Sequence, residues 1–186
     1  MKITSKGYIP KFIQTHPVRD DTRHLKTYVY KFFSPETKLQ YVLTAEYYDY
    51  DFFAIKFYAK KDRRSDSKYS KVINKGDVAN ILVTCANLVP ILLADFPNAS
   101  FGFIGSRTID VYAAKVEGYS DNQRFRLYCY HIPQLIGHKN FEHRSYTNVS
   151  AYMLLNKKNE STKDLEKSIR VMIINTYPNI LNITST

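Results

Sequence analysis

The sequence predicts an α+β fold: an antiparallel sheet of about five strands carrying three main helices, in the order β-β-β-α-β-α-β-α. Three observations lead there. Runs dense in Tyr, Phe, Val and Ile, partly alternating, fill residues 25–61, the pattern of half-buried strands. Three later segments repeat apolar residues three and four apart, the period of an amphipathic helix. Apolar runs at 100–105 and 144–158 follow the first two of those helices. A chain of 186 residues suits one domain with a sizeable core. The expected division is an irregular N-terminal arm (1–24), a single α+β domain (25–178) and a short C-terminal tail (179–186).

In the arm, Pro10, Pro17 and the mixed-charge run RDDTRH oppose regular structure. Residues 25–33, 39–50 and 51–61 follow as a strand meander, with SPETK turning between the first two and YDYD joining the next. A polar, basic connection leads to a helix over 75–95, with Asn74 as N-cap and Asp77 in its first turn, favourable to the helix dipole. Residues 78–94 carry no charge, but Asn80, Thr84 and Asn87 line one side while Ile81, Leu82, Cys85, Leu88 and Leu92 take the other. That division marks a core helix rather than a membrane span, and Pro90 is expected to kink it.

SFGFIG, apolar on both faces, reads as a central strand. Ser120 and Gln123 have capping-box spacing ahead of a helix bearing Phe125, Tyr128, Cys129, Ile132, Leu135 and Ile136, bent at Pro133. RSYTNVSAYMLLNKK reads as one strand with Val149, Ala151, Met153 and Leu155 on one face. Ser161 or Thr162 then caps a last helix whose buried stripe is Leu165, Ile169, Met172, Ile173 and Tyr177.

The chain has a formal charge of +10, a pI near 9.5, and 16 Tyr and 11 Phe with no Trp. The basic surplus lies in 1–75 and 119–186, whereas 76–118 are slightly acidic and belong to the core. Such a balance favours polyanionic partners, and so many tyrosines suggest rings half-exposed on the sheet. Cys85 and Cys129 fall on apolar helix faces and read as buried reduced thiols. The start, MKITSKGYIPK, lacks the apolar run of a secretory signal, so the expected location is cytoplasmic.

Candidate chemistry begins at ASFGFIGSRT. FGFI matches the middle of the RNA-recognition motif's signature, but Ala99, Ser100 and Ser106 fail at its ends, and a helix precedes the strand. A buried strand whose glycine admits close packing is the simpler reading. The polar half is more informative, because Ser106, Arg107 and Thr108 offer hydroxyls and a guanidinium suited to phosphate. Arg124 and Arg126, at the next helix start, would complete an anion pocket if the two segments converge. The competing expectation pairs these arginines with Asp110, Glu117 or Asp121.

A second basic feature is the loop carrying Lys60, Lys61, Arg63, Arg64, Lys68 and Lys71, with Tyr69 among them, which could track a phosphate backbone. No phosphate-binding loop, dinucleotide fingerprint or metal-type Cys/His spacing occurs, so neither cofactor nor metal is expected. His131, His138 and His143 are near in sequence but straddle different elements. Glu142 and Arg144 would lie across a strand from His143. Asp49 and Asp51 fit turn chemistry.

FGFIGSRT, QRFRLYCYHI and FEHRSYTNVSAYMLLNKKN together resemble a family of small Bacteroidota proteins without an assigned activity. The matching positions are Pro97, Asn98, Gly105, Ser106, Arg107, Arg124, Arg126, Tyr128, Asn156, Lys157 and Lys158, within residues 40–158. The resemblance implies a single α+β domain and groups GSRT with QRFRLY; it implies no catalytic residue. The leading expectation is a non-enzymatic module binding an anionic partner such as RNA or DNA. The alternative is a protein-interaction module, an antitoxin or phage-defence accessory, using a Tyr-rich sheet face. An enzyme acting on phosphate-bearing substrates ranks third, because no motif positions a nucleophile or base.

Overall fold

A computed structural model describes residues 5–18, 23–71, 76–110 and 114–177. The α+β class holds, but the sheet is larger than expected and not wholly antiparallel. Seven strands run in the order β1-β2-β3-β4-β5-β9-β8. They are β1 (Lys11–Pro17), β2 (His24–Ser34), β3 (Leu39–Tyr48), β4 (Phe52–Ala59), β5 (Ser100–Ile104), β8 (Phe141–Tyr146) and β9 (Ala151–Asn156). Between β5 and β8 lies a two-stranded ribbon, β6 (Ile109–Asp110) with β7 (Lys115–Val116). The helices are α1 (Val78–Ala86), α2 (Leu88–Asp95), α3 (Gln123–Ile136) and α4 (Thr162–Thr176).

The sheet departs from the expected strands at both of its ends. Within the arm expected to be irregular, β1 pairs antiparallel with β2, and its Pro17 stands at the last position, on the sheet edge, where a missing N–H costs least. The single strand expected over 144–158 is instead a hairpin. Thr147–Val149 form a 3₁₀ turn and Ser150 takes a left-handed conformation at φ 50°, so the chain doubles back from β8 to β9. Local patterning could not reveal this fold-back, because the turn TNVS carries neither Gly nor Pro to mark it.

The pairing of β4 with β5 is parallel, and α1 and α2 form its crossover, as parallel neighbours require. The helix expected over 75–95 is broken at Asn87 rather than kinked at Pro90. Pro90 thus falls in the first turn of α2, where no intrahelical partner is lost. Asn74 lies outside the described residues; the residue before α1 is Asp77, whose buried carboxylate accepts from Tyr8 Oη, Ser34 Oγ and Asn80 Nδ2.

One face of the sheet packs on α1, α2 and α3 through Leu43, Phe53, Ile55, Phe101, Phe103, Tyr152 and Leu154. The opposite face meets α4, where Ile169 and Met172 cover Phe52, Ala54, Met153 and Leu155. Central strands covered on both faces explain the near-continuous apolar runs of β4, β5 and β9. Most sheet tyrosines are internal: Tyr30, Tyr41, Tyr48, Tyr146 and Tyr152 are buried, contrary to the half-exposed rings expected. Among the described residues, the stretch Val78–Asp95, α1 and α2 taken together, alone is long and apolar enough to span a bilayer, and half of it is buried within the structure.

Candidate functional site

The site grows out of the parallel pair. Pairing between β4 and β5 ends at Ile55 and Phe103; beyond it the strands part, and such crevices at the carboxyl ends of parallel strands commonly take ligands. Two neighbouring cavities open there. The larger, about 530 Å³, lies on the α4 face and is lined mainly by Tyr48, Phe52, Gly102, Tyr146, Met153 and Tyr177, with Ser106, Arg107 and Tyr119 among its polar and aromatic lining. The smaller, about 200 Å³, lies between Lys56, Phe57, Ile104 and Ser106, with Tyr69, Arg124, Tyr128 and Tyr177 completing it. Ile104, Ser106 and Tyr177 belong to both.

Gly102 gives FGFI its physical meaning. A Cβ there would strike the tip of the Phe52 ring, so the glycine lets that ring cross the strand and form part of the cavity lining. The two phenylalanines beside it, Phe101 and Phe103, are fully buried on the helix side and present no platform for a base. Substitution Gly102→Ala is expected to cost about 1–2 kcal/mol, the usual scale of modest overpacking. Urea unfolding should show it, and an unchanged midpoint contradicts this account.

The five residues expected to form one anion pocket separate into three positions. Arg107 places its guanidinium over the exposed Tyr119 ring at 4.5 Å. Arg126 pairs with Asp121 at 3.4 Å and Glu117 at 4.0 Å, in line with the competing expectation. Arg124 turns away from both and donates to the backbone carbonyls of Tyr69 and Lys71, the latter at 3.0 Å, while lying over Phe57 at 5.1 Å.

The helix start that would have greeted a phosphate already holds a carboxylate. Glu117 accepts from Gln123 N at 2.6 Å and from Thr108 N at 3.1 Å. Burial pushes the Glu117 carboxyl up, but the Gln123 and Thr108 amides outweigh it and hold the group below its ordinary value. The cap is Asn122 rather than Ser120. Its Oδ1 accepts from Phe125 N at 3.0 Å, whereas Ser120 Oγ donates to Thr147 O. Asn122 also donates from Nδ2 to Gly105 O, and its N–H reaches Ser150 Oγ at 3.0 Å. Thr108 and the α3 start therefore serve the fold.

What the structure joins instead is the basic loop and the strand end. Lys71 bridges to Ile109, Ile109 N donates to Ser70 O at 3.0 Å, and Arg124 clasps the loop carbonyls from below. Ser70 then lines the larger cavity and Tyr69 the smaller. In the loop, Lys60, Lys61, Arg63 and Arg64 lie toward solvent. Lys68 lies over the rings of Tyr58 and Tyr69 at 4.9 and 5.1 Å, and Lys71 pairs with Asp62 at 3.0 Å.

Sequence reasoning missed the polar cluster beside the cavities. Glu46 and Lys56, diagonal neighbours on β3 and β4, form an ion pair at 2.5 Å; their side chains are 13% and 19% exposed. Tyr48 Oη donates to Glu46 at 2.8 Å and shares a hydrogen bond with Tyr177 Oη, which lies 3.3 Å from Lys56 Nζ. A lone Glu and a lone Lys on the same face of aromatic strands were the available signal. Burial raises the Tyr48 pKa, with Glu46 adding to it. Burial works against both charged partners, yet the pair wins: Glu46 is lowered by Lys56, and Lys56 is raised by Glu46. All three move away from neutrality, the opposite of what general acid–base catalysis needs.

The remaining nucleophile and ligand candidates follow the same pattern. Burial pushes the Cys129 thiol up to about 11, and raises the buried Cys85 thiol as well, so neither supplies a thiolate near neutral pH. His143 bonds Tyr152 Oη at 2.7 Å and Gly137 O at 2.6 Å, and its ring lies 4.1 Å from that of His138. Burial lowers its pKa, which fits a neutral ring donating to the carbonyl and accepting from the phenol. Glu142 and Arg144 pair with each other, and Arg144 also reaches Glu166 at 3.2 Å. No group of three or more His, Cys, Asp or Glu suited to a metal occurs among the described residues.

The chain matches no family model, no curated protein and no solved structure.

Proposed function

We propose that this protein is a non-enzymatic module that binds single-stranded nucleic acid, RNA or DNA, as its anionic partner. One observation carries the reading: Arg107 lines an aromatic-lined cavity of about 530 Å³ to which the basic loop contributes Ser70, the loop being tied to the chain just past Arg107 by the bridge of Lys71 to Ile109. A planar, largely apolar base suits that cavity. Arg107, Lys68, Lys60, Lys61, Arg63 and Arg64 suit the phosphates that flank it. The pKa shifts of Glu46, Tyr48 and Lys56, all directed away from neutrality, support binding over catalysis. For the alternative, a protein partner engaging a Tyr-rich sheet face, the described residues offer less. Tyr50, Tyr119 and Tyr130 are at least half exposed, and they stand in a turn, a loop and a helix.

Fluorescence anisotropy with labelled single-stranded and duplex oligonucleotides over a salt series tests the reading. The single strand is expected to bind more tightly, with log affinity falling linearly against log salt. Replacing Lys60, Lys61, Arg63 and Arg64 together by Ala should flatten that slope by roughly 0.7 for each phosphate no longer neutralised. Absence of binding at low salt, or affinity indifferent to salt, overturns the proposal.

A further inference from the structure

The smaller cavity differs from the larger one in kind. Its floor is the gap between diverging strands, and its charged lining is Arg124 and Lys56. Lys56 is neutralised by Glu46. Arg124 has no carboxylate partner among the described residues. Burial pulls its pKa down, yet arginine stays protonated under physiological conditions. Two of its nitrogens are engaged by backbone carbonyls, and of the five N–H donors a guanidinium carries, others remain. Ser106 lines both cavities, and its hydroxyl makes no hydrogen bond among the described residues. With Glu46 counted, the cavity holds one uncompensated positive charge in a partly desolvated setting, a cost that an incoming anion relieves.

We infer that this cavity seats a terminal phosphomonoester, so that the protein engages the phosphorylated end of a strand. The inference rests on the reading of the larger cavity as the seat of the adjoining base. Ile104, Ser106 and Tyr177 line both cavities, so the two adjoin, and a strand-end nucleotide would set its phosphate against Arg124 and Ser106 and its base beside Tyr48 and Tyr146. A phosphodiester inside a strand must continue in both directions, and a cavity of about 200 Å³ suits a group that ends there. A terminal phosphate also brings up to two negative charges, against one for a diester, to the unpaired guanidinium.

The test compares affinities of one eight-nucleotide single strand carrying a 5′-phosphate, a 3′-phosphate or neither, with the label at the opposite end, and of the free nucleoside monophosphate as competitor. One end-phosphorylated strand is expected to bind on the order of tenfold more tightly than the unphosphorylated one, the scale of one or two charge-assisted hydrogen bonds. That ratio should fall to about one in Ser106→Val, which fills the shared wall without touching the clasp on the loop. Arg124→Gln should do the same, with circular dichroism checking its fold; if it unfolds, Ser106→Val decides. Equal binding of all three strands overturns the inference while leaving the larger-cavity reading intact. Binding by none of them overturns that reading and the inference with it. A preference that survives in the decisive variants moves the phosphate out of this cavity, and a free monophosphate competing as well as the strand replaces strand-end recognition by nucleotide binding; either outcome overturns the inference.

Discussion

Gly105→Ala is expected to destabilise the protein by about 3 kcal/mol, the upper range for forcing one extra methyl group into a packed contact. A Cβ at Gly105 would lie 2.5 Å from Asn122 Oδ1 and 2.9 Å from Phe125 N. The second of these is backbone in the first turn of α3, so no side-chain rotation relieves it. Moving the helix start would also stretch the buried bonds from Asn122 to Gly105 O and Ser150 Oγ, each costly to leave unmade. For a chain of this size the thermal midpoint should drop by roughly 10 °C. Gly118→Ala is the control, since its Cβ meets nothing within 4 Å and should change stability by less than about 0.5 kcal/mol. Thermal melts of the two variants that coincide contradict the proposed docking of α3 on the strand end.

Lys56→Met should cost a similar amount, about 3 kcal/mol at pH 7, because it leaves the Glu46 carboxylate partly buried without its cation. Its dependence on pH separates this from a packing defect. In the parent protein Glu46 is held below its ordinary value of 4.5. Its contribution is therefore complete above that ordinary value and is lost as pH falls through the lowered one. In the variant, burial, the largest influence on Glu46, is opposed only by the weaker Tyr48 hydrogen bond and His24 and raises the Glu46 pKa, so the carboxyl takes up a proton on folding and the deficit shrinks as the solution is acidified. Urea unfolding at pH 7 and at pH 4–5 should show the two proteins converging at the lower pH. Parallel profiles contradict the account. A Glu46→Leu change added to Lys56→Met should recover much of the loss, as replacing a whole buried pair by apolar groups often does.

Both variants touch residues whose roles differed in visibility. The fold class, the central placement of SFGFIG and a cap on α4 at Ser161 or Thr162 were legible, because local periodicity and capping chemistry act over a few residues; of the two, Ser161 caps the helix, its Oγ accepting from Asp164 N at 3.2 Å. The parallel pairing of β4 with β5 was not, since nothing local in either strand says which neighbour it will take. Nor could spacing reveal β1, whose seven residues are all exposed and so carry no buried stripe to count.

At the site, the basic residues were visible as charges and their destinations were not. Arg107, Arg124 and Arg126 look alike in sequence. One stacks on Tyr119, one clasps the backbone of 69–71 and one pairs with acids, and these fates depend on tertiary neighbours contributed by different elements. Glu117 shows the limit most clearly. Its charge marks it as a partner for an arginine, but only the fold shows that it also occupies the amide groups at the start of α3 that a ligand was expected to reach.

The position of β5 has a consequence for how the chain assembles. The strands β1 to β4 meet neighbours that follow them directly in sequence, across short turns wherever β2, β3 and β4 are joined. β5 has no such neighbour: its partners are β4, on the far side of α1 and α2, and β9, on the far side of α3 and β8. The entropy of closing long loops is thus concentrated on five residues at the middle of the sheet. Distant contacts of this kind are the ones that slow folding. Until Ser100–Ile104 arrive, β4 keeps an open edge of Phe52, Phe53, Ala54 and Ile55, and the cleft at the strand ends does not exist. The meander can form early from local pairings, but binding competence arrives only when sequence-distant strands have met.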